Sequence, residues 1–201
     1  MIINAFSVTD KKYLDILYVM IDTIKRNKKD DTKMNYFLFI DDLDDKTKNY
    51  FADLEDDMFK MYCFEARNYA QYIHPPVNSY LYYLRCLAPK IFKDLERILY
   101  FDTDIVCINN GIEELWETDL TNKYLAAAID IEEAYRDEEE RINVGKNYEN
   151  NNYFNTGVML MNLKKMREDG YDKLLQEYLL NWPKELKCIL FDQTLLNWVF
   201  K

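Results

Sequence analysis

Two aspartates one residue apart, Asp102 and Asp104, interrupt the apolar stretch RILYFDTDIVCIN at residues 97–109. Burying an unpaired carboxylate is costly, and two close together oppose each other's ionisation, so the pair calls for a cationic partner. Residues i and i+2 of an extended segment point the same way, which lets both carboxylates converge on one cation. Oxygen-only ligands suit Mg2+ or Mn2+, ions that divide their coordination between protein carboxylates and substrate phosphates. Taken alone, the spacing fits equally well two solvated residues that end a strand.

Such a pair needs a scaffold, and the flanking pattern supplies one. Residues 2–8 (IINAFSV), 34–40 (MNYFLFI) and 58–64 (MFKMYCF) read as buried strands. Between them, Tyr13, Ile16, Leu17, Met20, Ile21 and Ile24 recur at helical spacing after Thr9, a plausible N-cap, and a second helix is expected over residues 46–57. Strand–helix alternation with right-handed crossovers makes a mostly parallel sheet covered on both faces, an α/β fold of Rossmann type. If residues 97–101 form the next strand, Asp102 and Asp104 stand at its carboxyl edge, where open α/β sheets bind ligands.

The remainder follows the same logic. Residues 71–79 form a breaker segment holding His74, the sole histidine, which reads as a loop residue. A helix is expected from Tyr80 to Phe92, bent or ended by Pro89. Further elements are a short helix at 112–116, a strand at 123–130, a strand at 154–163, a helix interrupted near Gly170, and a last short helix with Asp192 as N-cap. Residues 131–152, polar and rich in Glu and Asn, read as an exposed loop or lid. With no repeat and no linker, residues 1–201 are expected to form one domain.

The chain is 49% hydrophobic, enough for a core, and its net charge of −10 argues against nucleic acid or an anionic membrane as a non-specific partner. Four scattered cysteines, none in Cys-x-x-Cys spacing, favour reduced thiols over disulfides or zinc. The N-terminus has no signal-peptide pattern, and no apolar run approaches the ~18 residues of a membrane span. The expected location is the cytoplasm, compatible with a peripheral place at the inner face of a membrane.

Five motifs then occur in order. VTDKKY (8–13), YYLRCLAPKIF (82–92), RILYFDTDIVCINNGIEELWETDL (97–120), YFNTGVMLMNLKKMRE (153–168) and FDQTLLN (191–197) together resemble the family 8 glycosyltransferases, retaining enzymes that include lipopolysaccharide galactosyl- and glucosyltransferases and glycogenin. The resemblance implies a GT-A-like nucleotide-diphospho-sugar transferase fold, a UDP-sugar donor and a saccharide acceptor. It implies that Asp102 and Asp104 hold Mn2+ or Mg2+ against the diphosphate, that Asp10 meets the uracil edge and that Tyr13 stacks near the base. Val8, Lys12 and Thr103 complete the nucleotide-facing set, although Lys12 stands where many members carry Asn. Arg85 would reach a phosphate or the donor sugar. Asn155 and Thr156 would bind donor hydroxyls beside Gly157, Asp192 and Gln193 would face the anomeric carbon, and Asp130 would lie on the acceptor side. Read without the family, Asp10 and Asp192 are simple helix caps, Arg85 is a surface ion pair and Asn-x-Gly is a turn.

Family members usually continue to a His-x-x-Gly-x-x-Lys-Pro-Trp segment bearing a third metal ligand, and the sequence stops at Lys201 before it. A chain lacking that segment would expose apolar surface beside its last helix and would favour self-association. Two rival readings remain open at this stage. One is a haloacid-dehalogenase-like Mg2+ phosphatase, which also places Asp-x-Asp after an apolar strand. The other is a non-catalytic sugar-nucleotide-binding module.

Overall fold

A computed structural model describes residues 1–74, 79–130, 153–186 and 190–200. Strand β1 (Ile2–Thr9) leads through a 3-10 turn at Lys11–Tyr13 into α1 (Leu14–Asn27), then β2 (Lys33–Ile40), α2 (Asp45–Asn49) and β3 (Phe59–Glu65). Two 3-10 stretches, Ala66–Tyr72 and Leu81–Leu87, precede α3 (Ala88–Ile91) and β4 (Ile98–Phe101). Helix α4 (Ile112–Glu117), strands β5 (Leu125–Ile129) and β6 (Phe154–Met161), and helices α5 (Leu163–Glu168), α6 (Tyr171–Leu180) and α7 (Phe191–Val199) follow. No helix among the described residues is long and apolar enough to cross a membrane.

The six strands form one sheet in the order β3-β2-β1-β4-β6-β5. Strands β1 to β4 pair in parallel, as the strand–helix alternation predicts, while β6 runs antiparallel to both β4 and β5. Side-chain alternation sends successive residues to opposite faces, so Phe6 and Tyr100 join the core on one side and Ala5, Leu99 and Phe101 join the core on the other. All four residues of β4 are buried. That is why its apolar run ends abruptly at Asp102: the next residue emerges at the sheet edge.

Several helical expectations change under packing. Asp10, not Thr9, is the cap: its carboxylate accepts from the Lys12 N–H at 2.8 Å, and Thr9 belongs to β1. Tyr13 and Ile16, counted with the helix's apolar face, are exposed, whereas Leu17, Met20, Ile21 and Ile24 are buried. The helix expected at 46–57 shrinks to α2 plus a 3-10 turn at Ala52–Leu54, because Phe51 and Leu54 turn inward to the core. The helix expected from Tyr80 to Phe92 is 3-10 as far as Leu87. Pro89 has no N–H to donate and is tolerated only in a helix's first turn, so α3 begins at Ala88. The interruption near Gly170 holds: this residue takes φ +81°, a left-handed junction between α5 and α6. The loop expected at 131–152 lies outside the described residues.

Phe6 is the hinge of the packing beneath the site. Its ring meets those of Tyr100 at 4.9 Å, Phe92 at 5.2 Å and Phe39 at 6.3 Å, all edge-on. Nearby, Ser7 Oγ donates to the Phe101 carbonyl at 2.6 Å and lies 2.6 Å from the Tyr36 hydroxyl, fastening β1 to β4 and β2. Truncating the fully buried ring by Phe6→Ala should cost about 3–5 kcal/mol, read as a lowered urea midpoint; an unchanged midpoint would mean that the core collapses around the gap.

Candidate functional site

The carboxyl ends of β1 and β4 and the start of β6 meet at one edge of the sheet. Because β6 runs antiparallel, its first residues lie where β4 finishes: the Asp102 N–H donates to the Gly157 carbonyl at 2.7 Å. A cavity of about 550 Å3 opens over this edge. Val8, Asp10 and Tyr13 line it from β1 and the turn after it, and Asp102, Thr103 and Asp104 from the loop after β4. Asp130, Asn155, Thr156, Asp192 and Gln193 close the other side, with Arg85 in the wall. Of the residues expected to contact the nucleotide, Lys12 falls outside: it is exposed, and its neighbour Lys11 pairs with Asp42 and Asp44. His74 is likewise not in the wall.

Arg85 is neither a surface ion pair nor a free hand for phosphate. Its side chain is 8% exposed. One terminal nitrogen lies 2.9 Å from Asp102 Oδ1, the other donates to the Thr156 carbonyl at 3.1 Å, and Nε sits 3.1 Å from Asp192 Oδ2 without hydrogen-bond alignment. The guanidinium also lies over the Tyr100 ring at 4.2 Å, and the Tyr100 hydroxyl donates to Asp102 Oδ1 at 2.7 Å. Burial alone would lower the Arg85 pKa, but the neighbouring carboxylates of Asp192 and Asp102 raise it, so the residue stays a cation. One cation between two acids leaves Asp192 the less satisfied partner. Burial pushes its pKa up to about 6, against the pull of Arg85 and with a further push from Asp102.

Asp192 is therefore not a helix cap. Its carboxylate points into the protein, accepts from Thr156 Oγ1 at 3.2 Å and is 4% exposed. Gln193 beside it has a defined amide orientation. A backbone N–H can only donate and a carboxylate can only accept, so Oε1 faces the Thr156 N–H at 3.1 Å while Nε2 donates to Asp130 at 2.8 Å. Gly157 has a steric reason: a Cβ there would stand 3.1 Å from Asp102 Oδ2 and 3.0 Å from Asn155 Oδ1.

Sequence reasoning passed over Tyr100, Asn197, Tyr82 and Phe191. Buried Asn197 acts as a surrogate strand: its amide accepts from the Phe154 N–H and donates to the Phe154 carbonyl, both at 2.8 Å, which docks α7 onto the start of β6. Its signal was present as the last residue of the FDQTLLN motif. Tyr82 and Phe191 line the cavity as well; each opens a motif, YYLRCLAPKIF or FDQTLLN, in which attention went to the charged and amide residues instead.

Comparison with known proteins agrees with this architecture. The family model described as "Glycosyl transferase family 8" matches residues 4–201. A putative glycosyltransferase of Haemophilus influenzae is 32% identical over 121 residues, 59% of this chain and 34% of that protein. The lipopolysaccharide 1,2-glucosyltransferase of Escherichia coli is 33% identical over 124 residues, again 59% of this chain and 34% of that protein. This chain thus spans about a third of the length of these curated relatives. Among solved structures, galactosyltransferase LgtC in complex with donor and acceptor sugar analogues superposes with a TM-score of 0.76 at 25% identity, covering 100% of this chain and 71% of that one. Mouse xyloside xylosyltransferase 1 shares the fold at a TM-score of 0.72 and 17% identity, covering 99% of this chain and 81% of that one. The sheet is the GT-A type these enzymes share, and the family match sets the dehalogenase-like phosphatase reading aside.

The buried acid gives a signed pH effect. An unfolded Asp titrates near pH ~4, so a folded value of about 6 means that the folded chain binds this proton more tightly. The resulting stability, about 3 kcal/mol at most, is present below pH ~4 and is lost as pH rises through ~6. Asp192→Asn has no such proton. The stability of the wild type minus that of the variant, from urea unfolding, should fall between pH ~4 and ~7 and be level above. A difference independent of pH would show that Asp192 titrates alike in the folded and unfolded chain and would refute the upward shift.

Proposed function

The chain belongs to glycosyltransferase family 8, and from that premise we propose that it moves a hexose, glucose or galactose, from a UDP-sugar to a saccharide hydroxyl with retention of anomeric configuration. One observation carries the proposal: the paired acids after β4 share a single cavity with Asp10 and Tyr13 at the β1 end and with Asn155, Asp192 and Gln193 at the β6 end. Such a cavity has a place for a base, a diphosphate and a sugar in succession.

The acids fit a hard divalent cation. Asp102 Oδ1 is engaged by Arg85 and Tyr100, which orients the carboxylate, and Oδ2 lies on the side that the missing Cβ of Gly157 keeps open. Asp104 is exposed on the same wall. Among the described residues no group of three or more His, Cys, Asp or Glu converges on one point. Asp102 and Asp104 are then a partial ligand set that diphosphate oxygens would extend. Bound there, Mg2+ or Mn2+ would offset the charge that develops on departing UDP.

The chain's own groups do the rest. Asp10 and Tyr13 hold the nucleotide base, and the Asn155–Gly157 stretch that opens β6 lets backbone and amide approach the donor sugar. Neither residue facing the anomeric carbon is a free nucleophile. Gln193 carries a neutral amide whose oxygen already accepts from Thr156, and Asp192 is paired with Arg85. Transfer on the donor's front face follows. The bond from the anomeric carbon to phosphate oxygen breaks, the acceptor oxygen bonds to the same face, and the acceptor proton passes to the leaving phosphate. The Gln193 carbonyl dipole stabilises the oxocarbenium-like charge in between.

Thermal shift with UDP, UDP-glucose and UDP-galactose, each with and without Mn2+, tests the donor site; ligand at ~100 Kd should add about 2.7 kcal/mol. Asp102→Asn and Gly157→Ala should both reduce the Mn2+-dependent part, the second by displacing the Asp102 carboxylate. No response to any of these ligands would overturn the proposal, while stabilisation without donor hydrolysis or transfer would leave a binding module. For the front-face route, mass spectrometry of protein quenched during turnover should find no glycosylated Gln193 or Asp192, and a trapped adduct on either would refute it.

A further inference from the structure

Two aromatic rings in the cavity wall are left without a part in donor binding. Tyr82 and Phe191 stack in parallel, with centroids 4.7 Å apart and 12° between the planes. Tyr82 keeps 46% of its surface exposed, so it is not core. It precedes Arg85 by three residues in a 3-10 stretch, where side chains at i and i+3 eclipse, and both therefore face the cavity. Phe191 directly precedes Asp192. The pair thus adjoins both members of the Arg85–Asp192 ion pair in sequence and shares the cavity wall with Gln193 and Asp130, whereas Tyr13 supplies an aromatic surface from the turn after β1.

The backbone adds a second observation. Phe191 has φ +50°, a left-handed conformation that bulky side chains rarely adopt and that persists only where the surroundings over-determine it. The surroundings here are the docked start of α7 and the ring of Tyr82. The same wall carries Val8, Leu81 and Leu190 and, as hydrogen-bonding groups, Asp102, Asp104, Asp130, Asn155, Thr156 and Gln193. A flat apolar face opposite amide and carboxylate groups is what a pyranose ring requires. Its axial C–H face packs on an aromatic ring while its hydroxyls reach hydrogen-bond acceptors. Charge narrows the class further. Among the described residues Arg85 is the one cation in the wall, and it is engaged by Asp102 and Asp192, so nothing there is left to neutralise a phosphorylated or uronic sugar.

We propose that Tyr82 and Phe191 form an aromatic platform for a neutral pyranose ring of the acceptor, next to Gln193 and Asp130. This rests on the transferase reading above, and the test separates the two. Saturation-transfer NMR with methyl β-D-glucopyranoside and methyl β-D-galactopyranoside, without nucleotide, is run on the wild type, Tyr82→Ala, Tyr82→Trp and Phe191→Gly. UDP with Mn2+ is measured separately on each by calorimetry. Glycine accepts φ +50° without strain, so Phe191→Gly removes the ring and keeps the turn. The expected result is that at least one glycoside binds the wild type, that Tyr82→Ala and Phe191→Gly weaken it about tenfold, that Tyr82→Trp retains it, and that UDP binding survives in all four. Three results would each overturn the platform: UDP binding without glycoside binding in the wild type, glycoside binding unchanged in both ring-deleting variants, or loss of UDP binding in parallel with the glycoside. Ring-dependent glycoside binding in a protein that ignores UDP would instead overturn the donor reading and keep the platform.

Discussion

The site is organised around one buried guanidinium. Arg85 connects three pieces of chain that are remote in sequence: the loop after β4 through Asp102, the start of β6 through the Thr156 carbonyl, and the first turn of α7 through Asp192. A buried cation is tolerable only when its charge is balanced, and here two carboxylates, a carbonyl and the face of Tyr100 surround it, with Nε alone lacking an aligned acceptor. The planar fork explains why Arg fills this position: a lysine ammonium presents a single point of charge and could not span these partners at once. The arrangement also carries an imbalance, one cation for two acids, and that imbalance keeps Asp192 close to titration while Asp102 presents an oxygen to the cavity.

Topology makes the clamp possible. In an all-parallel sheet the strand next to β4 would end beside Asp102 and carry its first residues to the opposite edge. The antiparallel β6 instead begins there, so that the Gly157 carbonyl accepts from the Asp102 N–H and Asn155 and Thr156 share the cavity wall with the acid loop. Asn197 then binds α7 to that same strand start by pairing with both backbone groups of Phe154. Gln193, one turn earlier on α7, is thereby held with its oxygen toward Thr156 and its nitrogen toward Asp130. Precision at the reacting end thus comes from buried polar contacts between elements, whose directionality fixes orientation in a way that apolar packing cannot.

Much of the scaffold was legible from local rules. Apolar stretches of five to ten residues marked the strands, and burial of β4 on both faces explains why its run stays unbroken until Asp102. Helices fared less well. The segment before β4 became 3-10 because Pro89 and the inward side chains Leu84 and Leu87 set its pitch, and residues 46–57 broke where Phe51 had to reach the core. Within the site, Asp102, Asp104, Asn155 and Gln193 were identified by motif, but the simplest reading of Asp192 as a cap and of Arg85 as a surface pair missed their burial. Such roles depend on partners outside the local sequence, as Arg85 and Asp192 are to each other.

By itself, then, the sequence determined the strands, their alternation with helices, the acid pair at the fourth strand's end and the family to which those motifs belong. Each of these is written in short-range periodicity or in contiguous residues. Only the tertiary structure decided the reversal of β6, the joining of Arg85 to two distant acids, the fixed amide of Gln193 and the stacking of Tyr82 on Phe191. These arise from long-range contacts, and no local pattern encodes which far residue will supply the matching charge, hydrogen bond or ring.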